Sequence, residues 1–175
     1  TRLEDNRVFG NVLGLHATQS PLVHGNSIYS NERGIEGNSF SGRLRNNLIY
    51  DNHSVAVSLQ TTLVGAELIN NTLVQSGGVG LELKGSSQQL VARNNVFTMH
   101  DGFALRIAPD SQRGFESDYN AFDLSAGAQV AEWGDVAYSD LKTFRIESER
   151  ELHSITTAPD YVNPAGADQV RGFST

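Results

Sequence analysis

Asn46-Asn47, Asn70-Asn71 and Asn94-Asn95 stand 24 residues apart, and a fixed spacing of that kind restricts a chain to folds that repeat one structural unit. Two residues past each pair comes an apolar residue: Ile49, Leu73, Phe97. An alternating triplet follows in the same register, first Val55, Val57, Leu59, then Val79, Leu81, Leu83, then Phe103, Leu105, Ile107. Apolar alternation of period two, without helical spacing, reads as one turn of a β-solenoid whose repeats pair only with their neighbours.

Small changes of loop length extend the frame in both directions. Anchored on the second Asn it runs Asn6, Asn26, Asn47, Asn71, Asn95 and Asn120, with gaps of 20, 21, 24, 24 and 25. The following apolar column becomes Val8, Ile28, Ile49, Leu73, Phe97 and Phe122, predicted to stack in the interior. A second polar column lies five residues after the anchor, Asn11, Asn31 and Asn52, continuing as Ser76, His100 and Ser125. Asn suits both positions because it tolerates the left-handed backbone of a sharp bend, and its amide can bond the equivalent amide one rung away. The fold expected is all-β: a parallel β-helix of about six rungs, each of 20–25 residues, with a C-terminal cap.

Residues 1–124 are read as the rungs and 125–175 as a capping segment of the same domain. Gly34, Gly37 and Gly42 interrupt the second rung, where bulged loops are expected. After residue 125 the Asn spacing stops. Ser139-Asp140 precedes Leu141 and Phe144 in a helical stripe, so a short helix is expected near 139–150. Trp133, Tyr138 and Phe144 are the expected lids over the last rung.

A chain of 175 residues with 38% hydrophobic content can bury one core. A net charge of −7 disfavours nucleic acid and anionic membrane surfaces as partners. The absence of cysteine excludes disulfides and thiol chemistry. No apolar run approaches the roughly 18 residues of a membrane span, and the opening residues do not resemble a signal peptide. The first rung begins at once, so it is expected to be covered by the rest of a longer polypeptide or by another subunit.

The Asn-Asn pattern, together with Ser117-Asp118-Tyr119-Asn120-Ala121-Phe122, Ala131-Glu132-Trp133, His153-Ser154-Ile155 and Ala158-Pro159-Asp160-Tyr161-Val162-Asn163-Pro164, resembles the right-handed parallel β-helix repeat proteins of bacteria, a pectate-lyase-like solenoid superfamily. The resemblance implies a right-handed coil, an extracellular or cell-surface location, and association with polysaccharide, acidic ones included. The family's usual close after Asn163-Pro164 differs from Phe173-Ser174-Thr175 here, so the natural terminus is expected further on.

Three sets of residues are candidates for chemistry. Phe9, Tyr29 and Tyr50, with Val74, form an outward column on successive rungs about 4.8 Å apart, suited either to stacking on sugar rings or to burial under a loop. Glu82 is expected beside Arg106, with Ser58, Gln60 and Lys84 near. That trio of Glu82, Lys84 and Arg106 can serve a lyase as base and charge neutraliser, or be a surface ion pair worth under ~1 kcal/mol. His100-Asp101 and Asp51-Asn52-His53 join carboxylate to imidazole, but neighbouring strand residues face opposite ways. No acidic pair recurs at the rung spacing, so neither metal nor other cofactor is expected. The reading favoured is a non-catalytic, carbohydrate-associated binding or scaffold module. The alternatives are a polysaccharide lyase or hydrolase acting on acidic glycans, and a structural unit stacking end to end.

Overall fold

The computed structural model describes residues 1–162; the end of the expected cap, 163–175, lies outside them, as does the Asn163-Pro164 part of the resemblance. Six rungs of short strands wind around one core. They are β1 (Arg2–Glu4), β2 (Arg7–Phe9) and β3 (Leu13–Gln19); β4 (Leu22–His24), β5 (Ser27–Tyr29) and β6 (Arg33–Phe40); β7 (Arg43–Arg45), β8 (Leu48–Tyr50) and β9 (Val55–Gln60); β10 (Glu67–Ile69), β11 (Thr72–Gln75) and β12 (Val79–Lys84); β13 (Val91–Arg93) and β14 (Val96–Ile107); β15 (Glu116–Asp118) and β16 (Ala121–Trp133). Every rung-to-rung pairing among them is parallel. β1, β4, β7, β10, β13 and β15 form one sheet, and the remaining strands form another that bends around a corner.

The first apolar column holds register throughout: Val8 pairs Ile28, then Ile49, Leu73, Phe97 and Phe122. From Ile28 on, each is buried to within 1%, and Phe97 stacks on Phe122 at 5.3 Å. The triplets need correction at their first member. Val57, Leu81 and Leu105, and Leu59, Leu83 and Ile107, belong to the core cluster, whereas Val55, Val79 and Phe103 do not. The core takes Ala56 and Ala104 instead, so two consecutive residues turn inward where the chain rounds the corner, and the alternation restarts there.

Three polar ladders line the three corners. In the first, the backbone N–H of each Asn donates to the Oδ1 of the next, from Asn6 to Asn26, Asn47, Asn71, Asn95 and Asn120, at 2.8–3.0 Å. The side-chain Nδ2 donates to the same Oδ1 and also back to a carbonyl of the preceding rung, as Asn71 does to Leu44 O at 2.8 Å. The left-handed residue is not the ladder Asn but the one before it: Asp5, Gly25, Asn46, Asn70, Asn94 and Tyr119. The paired asparagines thus divide two tasks, the first taking the strained backbone and the second the hydrogen bonds.

The second ladder runs Asn11, Asn31, Asn52 and then Gln75, whose Oε1 accepts from Asn52 N at 2.9 Å. Ser76 and His100, expected there, are exposed. The register partner of Gln75 is Met99, and that of Met99 is Leu124. Where Asn marks this corner the strands are separate, and where Met99 and Leu124 replace it β14 and β16 run around unbroken. The third ladder joins Thr62 N to Ser87 Oγ at 3.1 Å and Ser87 N to Ser111 Oγ at 3.0 Å.

The second rung is bulged as expected, at Ser39, which the register of β3 on β6 skips, yet β6 is continuous and its glycines mark close approach: a Cβ on Gly34 would meet Ala56 O at 2.4 Å. β16 carries the sixth rung on to Trp133, past the boundary expected at Leu124. β17 (Val136–Tyr138) then folds back antiparallel on it. Helix α1 (Leu141–Ser148) lies within the expected 139–150, with Asp140 accepting from Thr143 N at its start. Phe144 meets Trp133 and Tyr138 edge-on, so these aromatics do lie together at the last rung. β18 (Ile155–Thr156) pairs with the start of β16.

The ladder assigns different costs to neighbouring residues. Asn71→Ala leaves the Asn47 donors and buried carbonyls unmet and should lose about 2–3 kcal/mol in denaturant unfolding. Asn70→Ala should lose only about 1 kcal/mol, and Asn70→Gly close to none. Leu73→Asp, a carboxylate without a partner in the core, should prevent cooperative folding as judged by thermal melting.

Candidate functional site

The outward aromatic column forms as expected, with Phe9 beside Tyr29 and Tyr29 beside Tyr50. Its rings use their faces on one another: Phe9 and Tyr29 stack at 5.1 Å, Tyr29 and Tyr50 at 4.7 Å. Tyr29 is 2% exposed, and its hydroxyl accepts from Arg7 at 2.7 Å. With both faces filled, Tyr29 has none for a sugar ring. Phe9 is the most exposed ring of the three, at 38%, and Tyr50 is half-buried. The column continues through Val74 to Thr98, whose hydroxyl shares a hydrogen bond with that of Tyr161 at 2.9 Å.

The charged column is longer than the candidates suggested: His16, Glu36, Ser58, Glu82, Arg106 and Glu132 lie in strict register. Glu82 and Arg106 are neighbours, yet they do not bond each other. Glu82 accepts from Lys84 and from Ser58 Oγ, each at 2.6 Å, and Arg106 pairs with Glu132 at 3.1 Å. Burial pushes the Glu82 carboxyl upward, but the hydrogen bonds from Lys84 and Ser58 outweigh it, leaving the carboxyl below its ordinary value. A carboxylate held ionised in this way is a weaker proton acceptor, the opposite of what a general base requires.

Beside the aromatic column, the second corner carries a groove of about 570 Å³ lined by Ser30, Glu32, Asp51, His53, Ser76 and Gly77, with Asn31 and Asn52 at its floor. Asp51 and His53 both reach it because buried Asn52 sits between them in the turn, where strand alternation does not apply. That convergence was hidden in the sequence by assuming an extended backbone. His100-Asp101 makes no comparable site: Asp101 caps the amide of Gly102 at 2.8 Å, and His100 is exposed. Among the described residues no three His, Cys, Asp or Glu side chains gather so as to hold a metal ion, and no helix is long and apolar enough to cross a membrane.

A further cluster lies at the cap. Asp118 accepts from the His153 ring at 2.7 Å and from the amides of His153 and Tyr119. These bonds hold its carboxyl below the ordinary range against the effect of burial. The His153 ring stacks on Tyr119 at 4.8 Å. Glu151 is fully buried beneath them; only a fold carried past residue 124 could have shown that it meets Asn120.

The two outward columns differ in what they support. Tyr29→Ala should cost about 3 kcal/mol, since it empties a buried stack, while Arg106→Ala should cost under about 1 kcal/mol, its pair being partly exposed. Urea melts of the two variants check the contrast.

No curated protein and no solved structure matches the chain. The model of the family described as "Right handed beta helix region" matches residues 1–97, more than half of the 175-residue chain, the stretch that holds five of the six asparagines of the first ladder. By that match, and by the parallel rungs and inter-rung ladders described above, the chain belongs to the right-handed beta helix family.

Proposed function

We propose that this chain is a non-catalytic, carbohydrate-associated binding or scaffold module of a secreted or cell-surface bacterial protein. The observation that carries the reading is the second corner, where a groove lined by hydroxyl, carboxylate, amide and imidazole groups runs beside an aromatic column on a rigid, ladder-braced frame. Hydroxyl-rich ligands are held by such convergent polar groups next to aromatic surface. Neither Phe9 nor Tyr50 lines the groove itself, but Tyr50 directly precedes Asp51 and Phe9 is the most exposed ring of the column, and these are the rings proposed to contact a glycan along this corner. The neighbouring charged column supports a non-catalytic role, because Glu82, Lys84 and Arg106 are engaged in pairs and Glu82 is held ionised.

A second reading, end-to-end assembly, has its own observation. Asn6 and Asn11 are exposed and donate forward along their ladders, and no bond to either carboxamide oxygen occurs among the described residues. Those oxygens, with the outer edge of β1, β2 and β3, suit a strand edge from the rest of a longer chain or from another subunit.

A panel of neutral and acidic polysaccharides separates the readings. Weak binding with little salt dependence, reduced several-fold by His53→Ala and Phe9→Ala, is the expected result. Formation of unsaturated ends from an acidic glycan by pure protein would establish a lyase instead. Concentration-dependent association in light scattering, without glycan binding, would favour assembly.

A further inference from the structure

Glu151 has no part in that reading, and its surroundings are unusual for a carboxylate. Its side chain is fully buried in a left-handed turn just after α1. Asn120 Nδ2 donates to both of its oxygens, at 3.1 and 3.0 Å, while the hydroxyls of Ser117 and Ser154 donate to one each. Ser154 Oγ also accepts the backbone N–H of Asn120 at 2.8 Å. At every earlier step of this ladder a single Asn Oδ1 receives both the N–H and the Nδ2 of the preceding Asn. At the last rung Ser154 receives the one and Glu151 the other. The cap therefore terminates the first ladder with a carboxyl where its donors end; when that carboxyl is protonated, its O–H is given to one of the two serine hydroxyls, which can accept as well as donate.

The charges around this carboxylate do not neutralise it by contact. On α1, Arg145 donates to the backbone carbonyls of Glu151 and Ser154, at 2.8 and 2.7 Å. Arg150 donates to Phe115 O at 2.6 Å. Glu149 is exposed, and on β15 Asp118 adds a second negative charge that is engaged by His153. The same segment supplies the amides that cover the last rung: Glu151 N to Ser117 O, Ile155 N to Asn120 O and Thr157 N to Phe122 O, at 2.8–3.1 Å.

We propose that Glu151 is a proton-operated latch that fastens residues 141–157 over the sixth rung, and that its ionisation loosens this cap and bares the β15 and β16 edge to another strand. Burial above all, and the nearby Asp118 charge, push the Glu151 carboxyl up from its ordinary 4.5, although the bonds from Ser117, Ser154 and Asn120 favour the ionised form. The closed cap thus holds a proton that an opened cap, with Glu151 in water, releases. The stabilisation is fully present below 4.5 and is lost as pH rises through the raised value.

Hydrogen exchange at the amides of Glu151, Ile155 and Thr157, followed over pH and corrected for intrinsic rate, tests the latch. In the native protein the opening constant should rise by up to about tenfold per pH unit within that window, and in Glu151→Gln it should be flat. His153 is the competing group, because its protonation would also strengthen the contact with Asp118. His153→Phe removes that titration and keeps a ring against Tyr119. A slope that survives His153→Phe and vanishes in Glu151→Gln supports the latch. The reverse pattern, or a flat native profile, overturns it. If Glu151→Gln opens outright, or the slope falls in both variants, a carbon-13 NMR titration of the native Glu151 carboxyl decides: a midpoint above 4.5 supports the latch and one at or below 4.5 overturns it.

Discussion

The amide ladder at the first corner is the constraint from which the rest of the solenoid follows. A sharp bend between two short strands buries backbone N–H and C=O groups that no sheet can reach, and each must be satisfied in a dry site. One Asn per rung does this by accepting from the rung before, donating to the rung after and reaching back to a carbonyl, as Asn71 does with Asn47, Asn95 and Leu44. Because each amide needs its counterpart one rung away, the bend must recur at the same height on every turn. The apolar column two residues on is then carried into register with it. Rung length is free elsewhere: the connection from β6 to β7 spans residues 41–42, whereas that from β9 to β10 spans 61–66. Variation from 20 to 25 residues is absorbed mainly at the third corner, where short Thr and Ser side chains make the inter-rung bonds, with a residue more or less at the second.

Much of this was legible from residue types because the ladder and the columns depend on position, and position is what a repeat displays. Asn6 to Asn120 and Val8 to Phe122 stand where the spacing placed them. The misreadings share one cause, that period-two alternation assumes a straight strand. At the second corner Ala56 and Val57 both face inward, so Val55, Val79 and Phe103 fall outside the core cluster, although Val55 and Val79 are still buried. At the same corner Gln75, one residue short of the expected position, reaches with a longer side chain the place an Asn would take, and Ser76 is displaced to the surface. The Thr62, Ser87 and Ser111 ladder keeps the rung spacing but was hidden because it spans only three rungs and changes residue type along them. Tyr29 was assigned its column correctly, but its partners on that column consume the ring faces that a ligand would need.

The surface follows the same logic of neighbours satisfying neighbours. Parallel stacking places like positions about 4.8 Å apart, so a column of one charge would repel itself along its length. The outward column avoids this by alternating, His16, Glu36, Ser58, Glu82, Arg106 and Glu132, and by drawing Lys84 onto Glu82. The pairs are partly exposed, and each adds little to stability. Their larger effect is on chemistry. A carboxylate kept ionised by an ammonium and a hydroxyl loses basicity, so the device that makes a charged ladder tolerable also makes it a poor place for proton abstraction.

The ladder has a direction, and its two ends are therefore unlike. Donors point toward the C-terminal rung at every step, so the chain of amides presents oxygens at Asn6 and N–H groups at Asn120. The donor end calls for oxygen acceptors, which a carboxyl group supplies. Glu151 stands there. At the opposite end a carboxylate would face the oxygens of Asn6 and Asn11, so a stabilising partner must bring N–H groups, as the amides and asparagines of another parallel rung do. The polarity of one side chain type, repeated six times, thus distinguishes an end that an acidic cap closes from an end that only a donor-bearing edge can extend.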